Sequence, residues 1–426
     1  MTSYLKMTKE ELAKEFEKVK QEYARLALLG LNLDMSRGKP GADQMDLSKR
    51  IFDLVGNNLG FKNKDGVDCR NYGGLDGLVE LKNLFSEILG VEPSQIIVGG
   101  NSSLNMMYDT VAQAMTHGLG GEPWMKQGEI KFLCPAPGYD RHFAITEHFG
   151  IKMIPVANNA DGPDMDKIEE LIKDESVKGM WCVPKYSNPE GITYSNEVVS
   201  RLANMKPAAK DFRIFWDNAY AIHDLYDDGD ELLNIYDECV KAGNPDLVIM
   251  FTSTSKITFP GAGVAAQGAS PNNVQLLKSR MQFQTIGPDK LNQLRHARMF
   301  RNVKDVKAHM KEHAEILRPK FESVLSELDK ELDGLGIASW NRPKGGYFIS
   351  LNVMNGCAKR VEELCAGAGM ILTKVGATYP YGIDEKDSNI RIAPSFPPVE
   401  EIKKASIILC VSVRYAALEK LLGDAV

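Results

Sequence analysis

The feature that most limits what this chain can fold into is a steady exchange of short apolar runs with helix-patterned stretches through its middle. Residues 95–98, 130–134, 152–156, 179–183, 213–216 and 247–251 read as strands, with helical patterning in most of the intervals between them. Runs this short and continuously apolar suit strands buried on both faces, as in a parallel sheet covered by helices. The alternation predicts βαβ units joined by right-handed crossovers. It also predicts where chemistry belongs, because ligands of open α/β sheets sit beyond the carboxyl ends of the strands.

The two ends of the chain are organised differently. Thr8 and Glu11 make a capping-box pattern before a helix running to about residue 29, with Leu12, Phe16, Val19 and Tyr23 on one face. After Gly287 a long charged helical run, from residue 289 to about 332, carries no strand signal. A smaller α+β pattern follows, with strands at 346–353, 370–373 and 390–393 and helices at 361–368 and 399–422. These shifts predict an N-terminal segment (1–45) that returns to a small C-terminal domain (301–426), a large domain between them (46–300), and a long connecting helix from about 289.

Composition excludes more than it identifies. At 426 residues, 43% apolar and 25% charged, this is an ordinary globular chain, and its net charge of -6 offers no electrostatic case for nucleic acid or an anionic membrane. No apolar run approaches the roughly 18 residues of a membrane span, and residues 1–20 are too charged to form a signal peptide. Seven cysteines are scattered without a C-x-x-C pair, which suits core packing in a reducing compartment, so a cytoplasmic location is expected. His142 and His148 lie six apart, on different helical faces, so no metal site is expected. Gly261-Ala262-Gly263-Val264-Ala265-Ala266 matches G-x-G-x-x-A but does not open a helix directly after a strand, and no G-x-S-x-G elbow is present. A nicotinamide dehydrogenase and a triad hydrolase therefore lack an anchor.

What remains is a set of polar residues at successive strand ends. Asn188, Asp217 with Tyr220, and Ser253, Ser255 and Lys256 each follow an apolar run. A lysine amine delivered there, among small hydroxyls and before a Gly/Pro turn, is open to desolvation, which lowers its pKa and suits it to an imine. Asp217 follows Phe212-Arg213-Ile214-Phe215-Trp216, where burial penalises a carboxylate unless a cation such as a protonated pyridine nitrogen pairs with it. Gly99-Gly100-Asn101-Ser102-Ser103, between a strand and a helix, makes a second anion site from helix N–H groups and hydroxyls. A third glycine loop, Arg37-Gly38-Lys39-Pro40, adds two cations. Together these residues fit one job: a lysine for an imine, an aspartate for a pyridinium, and hydroxyls with helix N–H groups for a phosphate.

At this point the chain resembles the fold-type I pyridoxal-phosphate enzymes, specifically the class I aminotransferases. Within them it is similar to the aspartate aminotransferase subgroup often labelled MocR-type or type Ic. The landmarks occur in family order along nearly the whole chain: Tyr72, Gly100-Asn101-Ser102, Pro137-Gly138-Tyr139, Ser187-Asn188-Pro189-Glu190-Gly191, Asp217-Asn218-Ala219-Tyr220, Ser253-Thr254-Ser255-Lys256, and Arg391 in Asn389-Ile390-Arg391-Ile392-Ala393-Pro394. The resemblance implies an α/β fold with a large, mostly parallel seven-stranded sheet domain, helices on both faces, and a smaller α+β domain. It implies a homodimer with shared active sites, binding pyridoxal 5'-phosphate, a small amino acid and a 2-oxo acid, with no nucleic acid and no membrane.

The resemblance also assigns roles. Lys256 would hold the cofactor as an imine and shuttle the substrate α-proton, Asp217 would pair with the ring nitrogen, and Tyr139 would stack on the ring. Asn188 and Tyr220 would bond the ring oxygen. Asn101, Ser102, Ser103, Ser253 and Ser255 would hold the phosphate, with Tyr72 reaching across from the partner subunit. Arg391, Gly38 and Asn188 would take the substrate carboxylate. For the distal carboxylate of a dicarboxylic substrate, Arg141 comes first, Arg37 and Lys39 next, and Lys290 last, from the partner. The reaction implied is exchange between aspartate or glutamate and 2-oxoglutarate or oxaloacetate, ping-pong through pyridoxamine phosphate. Aromatic or branched amino acids, β-elimination, or a sensor role in a transcriptional regulator are the alternatives. One departure stands out: Val264 occupies the place, eight residues after Lys256, of a phosphate-binding arginine, leaving Lys39, Arg280 or Lys290 to compensate.

Overall fold

The computed structural model describes residues 2–423. The chain opens with α1 (Lys9–Ala27), capped by the reciprocal Thr8–Glu11 box expected from the sequence. β1 (Leu33–Asp34) and α2 (Ala42–Asp46) follow. The long middle begins with α3 (Val79–Leu89), stopped by left-handed Gly90, then β2 (Ile96–Val98), α4 (Ser103–His117), β3 (Lys131–Ala136) and α5 (Asp140–His148). Next come β4 (Lys152–Asn159), β5 (Gly162–Pro163), α6 (Met165–Leu171), β6 (Val177–Cys182), α7 (Asn196–Asn204), β7 (Arg213–Asp217) and α8 (Ile235–Lys241). β8 (Val248–Ser253), β9 (Ala265–Ala269) and α9 (Pro271–Met281) complete it. The remainder is α10 (Lys290–Met299), α11 (Val303–Leu332), β10 (Ala338–Trp340), β11 (Ile349–Val353), α12 (Ala358–Gly367), β12 (Met370–Ile371), β13 (Asn389–Ile392) and α13 (Val399–Gly423).

The large sheet has eight strands, in the order β2-β9-β8-β7-β6-β3-β4-β5, against the seven expected. Its centre is parallel, from β8 through β7, β6 and β3 to β4. β9 runs antiparallel between β2 and β8, and β5 is a two-residue hairpin return beside β4. β9 is Ala-Ala-Gln-Gly-Ala, with none of the β-branched or aromatic residues that usually announce a strand, so the sheet around it creates it. Successive residues face opposite sides. Ile214, Trp216, Val248 and Met250 enter one apolar core, while Phe215, Ile249 and Phe251 enter the other.

A third core joins the two ends of the chain. Leu12, Val19 and Leu26 of α1 pack with Phe321 and Leu328 of α11, Ile349 and Leu351 of β11, and Ile402, Leu409 and Leu418 of α13. Phe16 and Tyr23 meet Tyr415 edge-on at 5.0 and 5.4 Å. β1 pairs in parallel with β12, and β10-β11-β13 form an antiparallel sheet. The helical run expected from 289 to 332 is two helices, broken at residues 300–302. There the Asn302 side chain accepts from the N–H groups of Lys304 and Asp305 and starts α11 afresh, while buried Phe300 adopts extended dihedrals.

Candidate active site

β8 ends at Ser253, and the turn behind it is fixed from several sides. Ser253 Oγ donates to Ser255 Oγ at 3.0 Å, and Ser255 Oγ donates to Asn101 O at 3.1 Å, tying the lysine turn to the loop before α4. Thr254 N donates to Val264 O at 2.8 Å and Val264 N to Thr254 Oγ1 at 2.9 Å. The Val264 side chain is thereby buried in the core, so no charge reaches the site from this position. Behind the turn, His309 Nε2 lies 3.0 Å from Ile257 O and His296 Nε2 lies 2.8 Å from Thr258 Oγ1. Lys256 Nζ stands 5.0 Å from the ring centre of Tyr220. Desolvation holds its pKa below the usual lysine value, opposed by the negative charge of Asp217.

Asp217 ends β7 beside it, 3% exposed. His142 Nε2 donates to Asp217 Oδ2 at 2.9 Å, and the imidazole stacks on Trp181 at 4.4 Å and 10°. The other oxygen, Oδ1, is buried with no hydrogen-bond partner among the described residues. A buried acceptor of this kind is costly unless a donor meets it. Tyr139, directly before α5, presents its ring edge-on to His142 at 4.9 Å. Burial raises the phenol pKa of both Tyr139 and Tyr220, so both stay protonated and can donate.

Arg391, on β13, is 8% exposed and comes to the same place from the C-terminal region. Its Nη1 donates to Asn188 Oδ1 at 3.1 Å and to Asp140 Oδ1 at 2.9 Å, and its Nε to Thr373 Oγ1 at 3.3 Å. The guanidinium lies 5.0 Å from the ring centre of Phe348. Gly38 lies against the same ring: a Cβ there would stand 2.3 Å from Phe348 Cζ. The N-terminal loop is held by Ala393 N donating to Met35 O at 3.1 Å and Thr373 Oγ1 donating to Ser36 O at 2.7 Å.

The other expected residues divide. Ser102 caps α4, its Oγ accepting from Leu104 N, and Ser103 is the first residue of that helix. Asn101 donates to Pro260 O at 3.3 Å. Arg141 and Arg37 are exposed, and Lys39 is exposed with its Nζ 3.9 Å from the Phe396 ring centre. Lys290 is buried, and its ammonium donates to Gly73 O at 2.6 Å, where it anchors the loop that carries Tyr72. Tyr72 itself is 83% exposed. Arg280 Nε is buried without a partner among the described residues.

Sequence reasoning missed three groups. By spacing, His142 is treated only as a metal ligand, although its place three residues after Tyr139, at the start of a helix, is a usable signal. Asp140, an acid in the first turn of α5, carries no signal beyond its place in the helix. Tyr347, whose hydroxyl donates to Lys256 O at 3.4 Å and accepts from Gln44 Nε2 at 2.9 Å, carried no signal at all.

Chemically, the arrangement brings together a partly desolvated amine, a buried carboxylate with one free oxygen, two phenols and a guanidinium, beside a hydroxyl-rich helix N-terminus. A protein-family model for aspartate amino-transferase matches residues 7–425. A curated Mycolicibacterium smegmatis relative, named as an aminotransferase, is 46% identical over 99% of this chain and 100% of its own length. The aspartate aminotransferase of Corynebacterium glutamicum is 46% identical over 95% of this chain and 94% of its own. A crystal structure of an aspartate transaminase from Corynebacterium glutamicum superposes with a TM-score of 0.94, covering 96% of this chain and 97% of that one at 46% identity.

Proposed function

This chain belongs to the aspartate aminotransferase family and is an aminotransferase, and from that premise we propose that it exchanges the amino group of aspartate or glutamate with 2-oxoglutarate or oxaloacetate. Pyridoxal 5'-phosphate is the cofactor of this reading, and the residues present fit it. The observation that carries the fit is Asp217 Oδ1, a buried acceptor awaiting a donor, on the residue whose charge acts on Lys256 Nζ. A ring N–H is a donor of the required kind. When bound, the cofactor supplies an aldehyde for the lysine amine and a ring that withdraws the electrons left when the substrate loses its α-proton.

The chain's own groups do the rest. Lys256 Nζ, with its pKa lowered, takes the α-proton and returns it on the other side of the transfer. Asp217 would pair with the ring nitrogen, and the 2.9 Å bond from His142 holds the carboxylate in one orientation. Tyr220 and Asn188 would hold the ring oxygen, and Tyr139 would stack on the ring. Ser253, Ser255, Asn101, Ser102 and Ser103, with the N-terminus of the 15-residue helix α4, receive the phosphate. Arg391, backed by the Gly38 loop, takes the substrate carboxylate, and Arg141 is our choice for the distal one. Exposed Tyr72 (83%) and the nearby exposed Phe283 (84%) and Ile286 (62%) support a homodimer in which Tyr72 reaches the partner's site.

No helix among the described residues is long and apolar enough to cross a membrane, and the seven cysteines are buried. Both suit the cytoplasm as the site of action.

The test is a screen of twenty amino acids against three oxo acids with the reconstituted protein, followed by Lys256→Ala. Aspartate and glutamate should dominate, with parallel double-reciprocal lines as expected for two half-reactions. Lys256→Ala should lose both near-visible absorbance and turnover. Normal transamination by Lys256→Ala, or a preference for aromatic donors, would overturn the reading.

A further inference from the structure

Arg391 meets a carboxylate before any substrate arrives. Of the five N–H donors on a guanidinium, this one commits Nε to Thr373, one Nη1 hydrogen to Asn188 at 3.1 Å and the other to Asp140 at 2.9 Å. Asp140 is the first residue of α5, a position where an acid is favoured for the helix dipole alone. That explanation accounts for an acidic side chain but not for its direction. Its carboxylate, 33% exposed, turns to a guanidinium that is 8% exposed, and pairs with it.

An incoming carboxylate bonded side-on to Nη1 and Nη2 requires a hydrogen that Asp140 or Asn188 now holds, and it brings a second negative charge within about 5 Å of Asp140. We propose that Asp140 is a resident carboxylate, a positioning residue that fills part of the Arg391 fork in the free enzyme and must be displaced for the α-carboxylate to dock. The inference rests on Arg391 as the substrate clamp. Its consequence is a raised threshold for binding. A ligand has to present a full negative charge in the right plane to take over the hydrogen bond, and weaker acceptors leave Asp140 in place. Between substrates, the arginine stays anchored and oriented instead of sampling solvent.

The test uses the holoenzyme and succinate, a carboxylate that cannot transaminate. Asp140→Asn keeps the size and an acceptor oxygen while removing the charge, and Asp140→Ser removes the reach as well. Two like charges about 5 Å apart repel enough to change affinity by about fourfold at the dielectric of bulk water and about 300-fold at that of a protein surface, so about tenfold is a conservative expectation. Both variants should therefore bind succinate about tenfold more tightly, and Asp140→Asn should show a lower KM for its amino donor with kcat less affected. A merely structural role would weaken binding, so the direction of the change is diagnostic. Unchanged or weaker succinate binding in Asp140→Asn overturns the proposal. Arg391→Lys separates the two levels. If succinate binding survives Arg391→Lys, the clamp reading itself fails. If it is lost there but not tightened in Asp140→Asn, only the resident carboxylate fails.

Discussion

Acidification gives a quantitative test of the packing behind Lys256. His296 is fully buried, and its Nδ1 lies 2.8 Å from Asn292 O, an oxygen that can only accept. The proton therefore sits on Nδ1, and Nε2 accepts from Thr258 Oγ1 at 2.8 Å. A second proton would face the Thr258 hydroxyl and have to be buried as charge. Burial accordingly pushes His296 down to about 4, and His313, packed against His309, also down to about 4. An unfolded histidine titrates near 6.5. Between these values the unfolded chain binds more protons than the folded one. The contribution to stability is complete above about pH 6.5 and is lost as pH falls toward 4. A gap of about 2.5 units is worth about 3 kcal/mol per imidazole when fully expressed, and about 2 kcal/mol of it is gone by pH 5. Urea midpoints at pH 7.5, 6 and 5 should fall progressively. His296→Asn, which removes one titrating ring, should lose about 2 kcal/mol less than the parent between pH 7.5 and 5. Equal losses in parent and variant would refute the assignment of acid lability to this histidine.

Three further outcomes follow from the site. Asp217→Asn removes the charge proposed to meet the ring nitrogen, so the transfer step read by single-turnover kinetics should slow roughly 10²–10³-fold, with little change in a thermal midpoint measured separately. Gly38→Ala places a methyl 2.3 Å from Phe348 Cζ, which should raise KM for amino and oxo acids alike and cost about 1–3 kcal/mol in urea unfolding. Arg141→Ala should raise KM for aspartate about tenfold or more while leaving alanine turnover nearly unchanged; equal effects on both substrates would return Arg141 to the solvated surface.

Much of the frame was legible because it is local. The Thr8–Glu11 box before α1 sits where short-range rules place it. The central strands were visible as continuous apolar runs, and Asn188, Asp217 and Lys256 stood out because each ends one. β9 was invisible because alanine and glycine carry no strand signal of their own; the ladders to β2 and β8 on either side decide its conformation. The break before α11 was masked by a charge pattern that continues through it. Within the site, His142 and Asp140 acquire meaning only from partners 75 and 251 residues away, Asp217 and Arg391. No periodicity reports pairings of that kind, and Arg391 itself was reached through resemblance to a family.

The pairing of β1 with β12 has a consequence for how the molecule is made. Ser36 is gripped by Thr373, 337 residues later, and Met35 by Ala393. A ribosome adding roughly 5–20 residues per second needs about 20–70 s to cover that interval. Throughout it, Leu33, Asp34 and the Gly38 loop have no partner strand to join. The edge that carries the Gly38 loop therefore closes long after the Asp217 and Lys256 strands can pair. A nascent chain can hold an assembled central sheet before Arg391 meets the Gly38 loop, and emergence of β12 and β13 is the event that brings the two together.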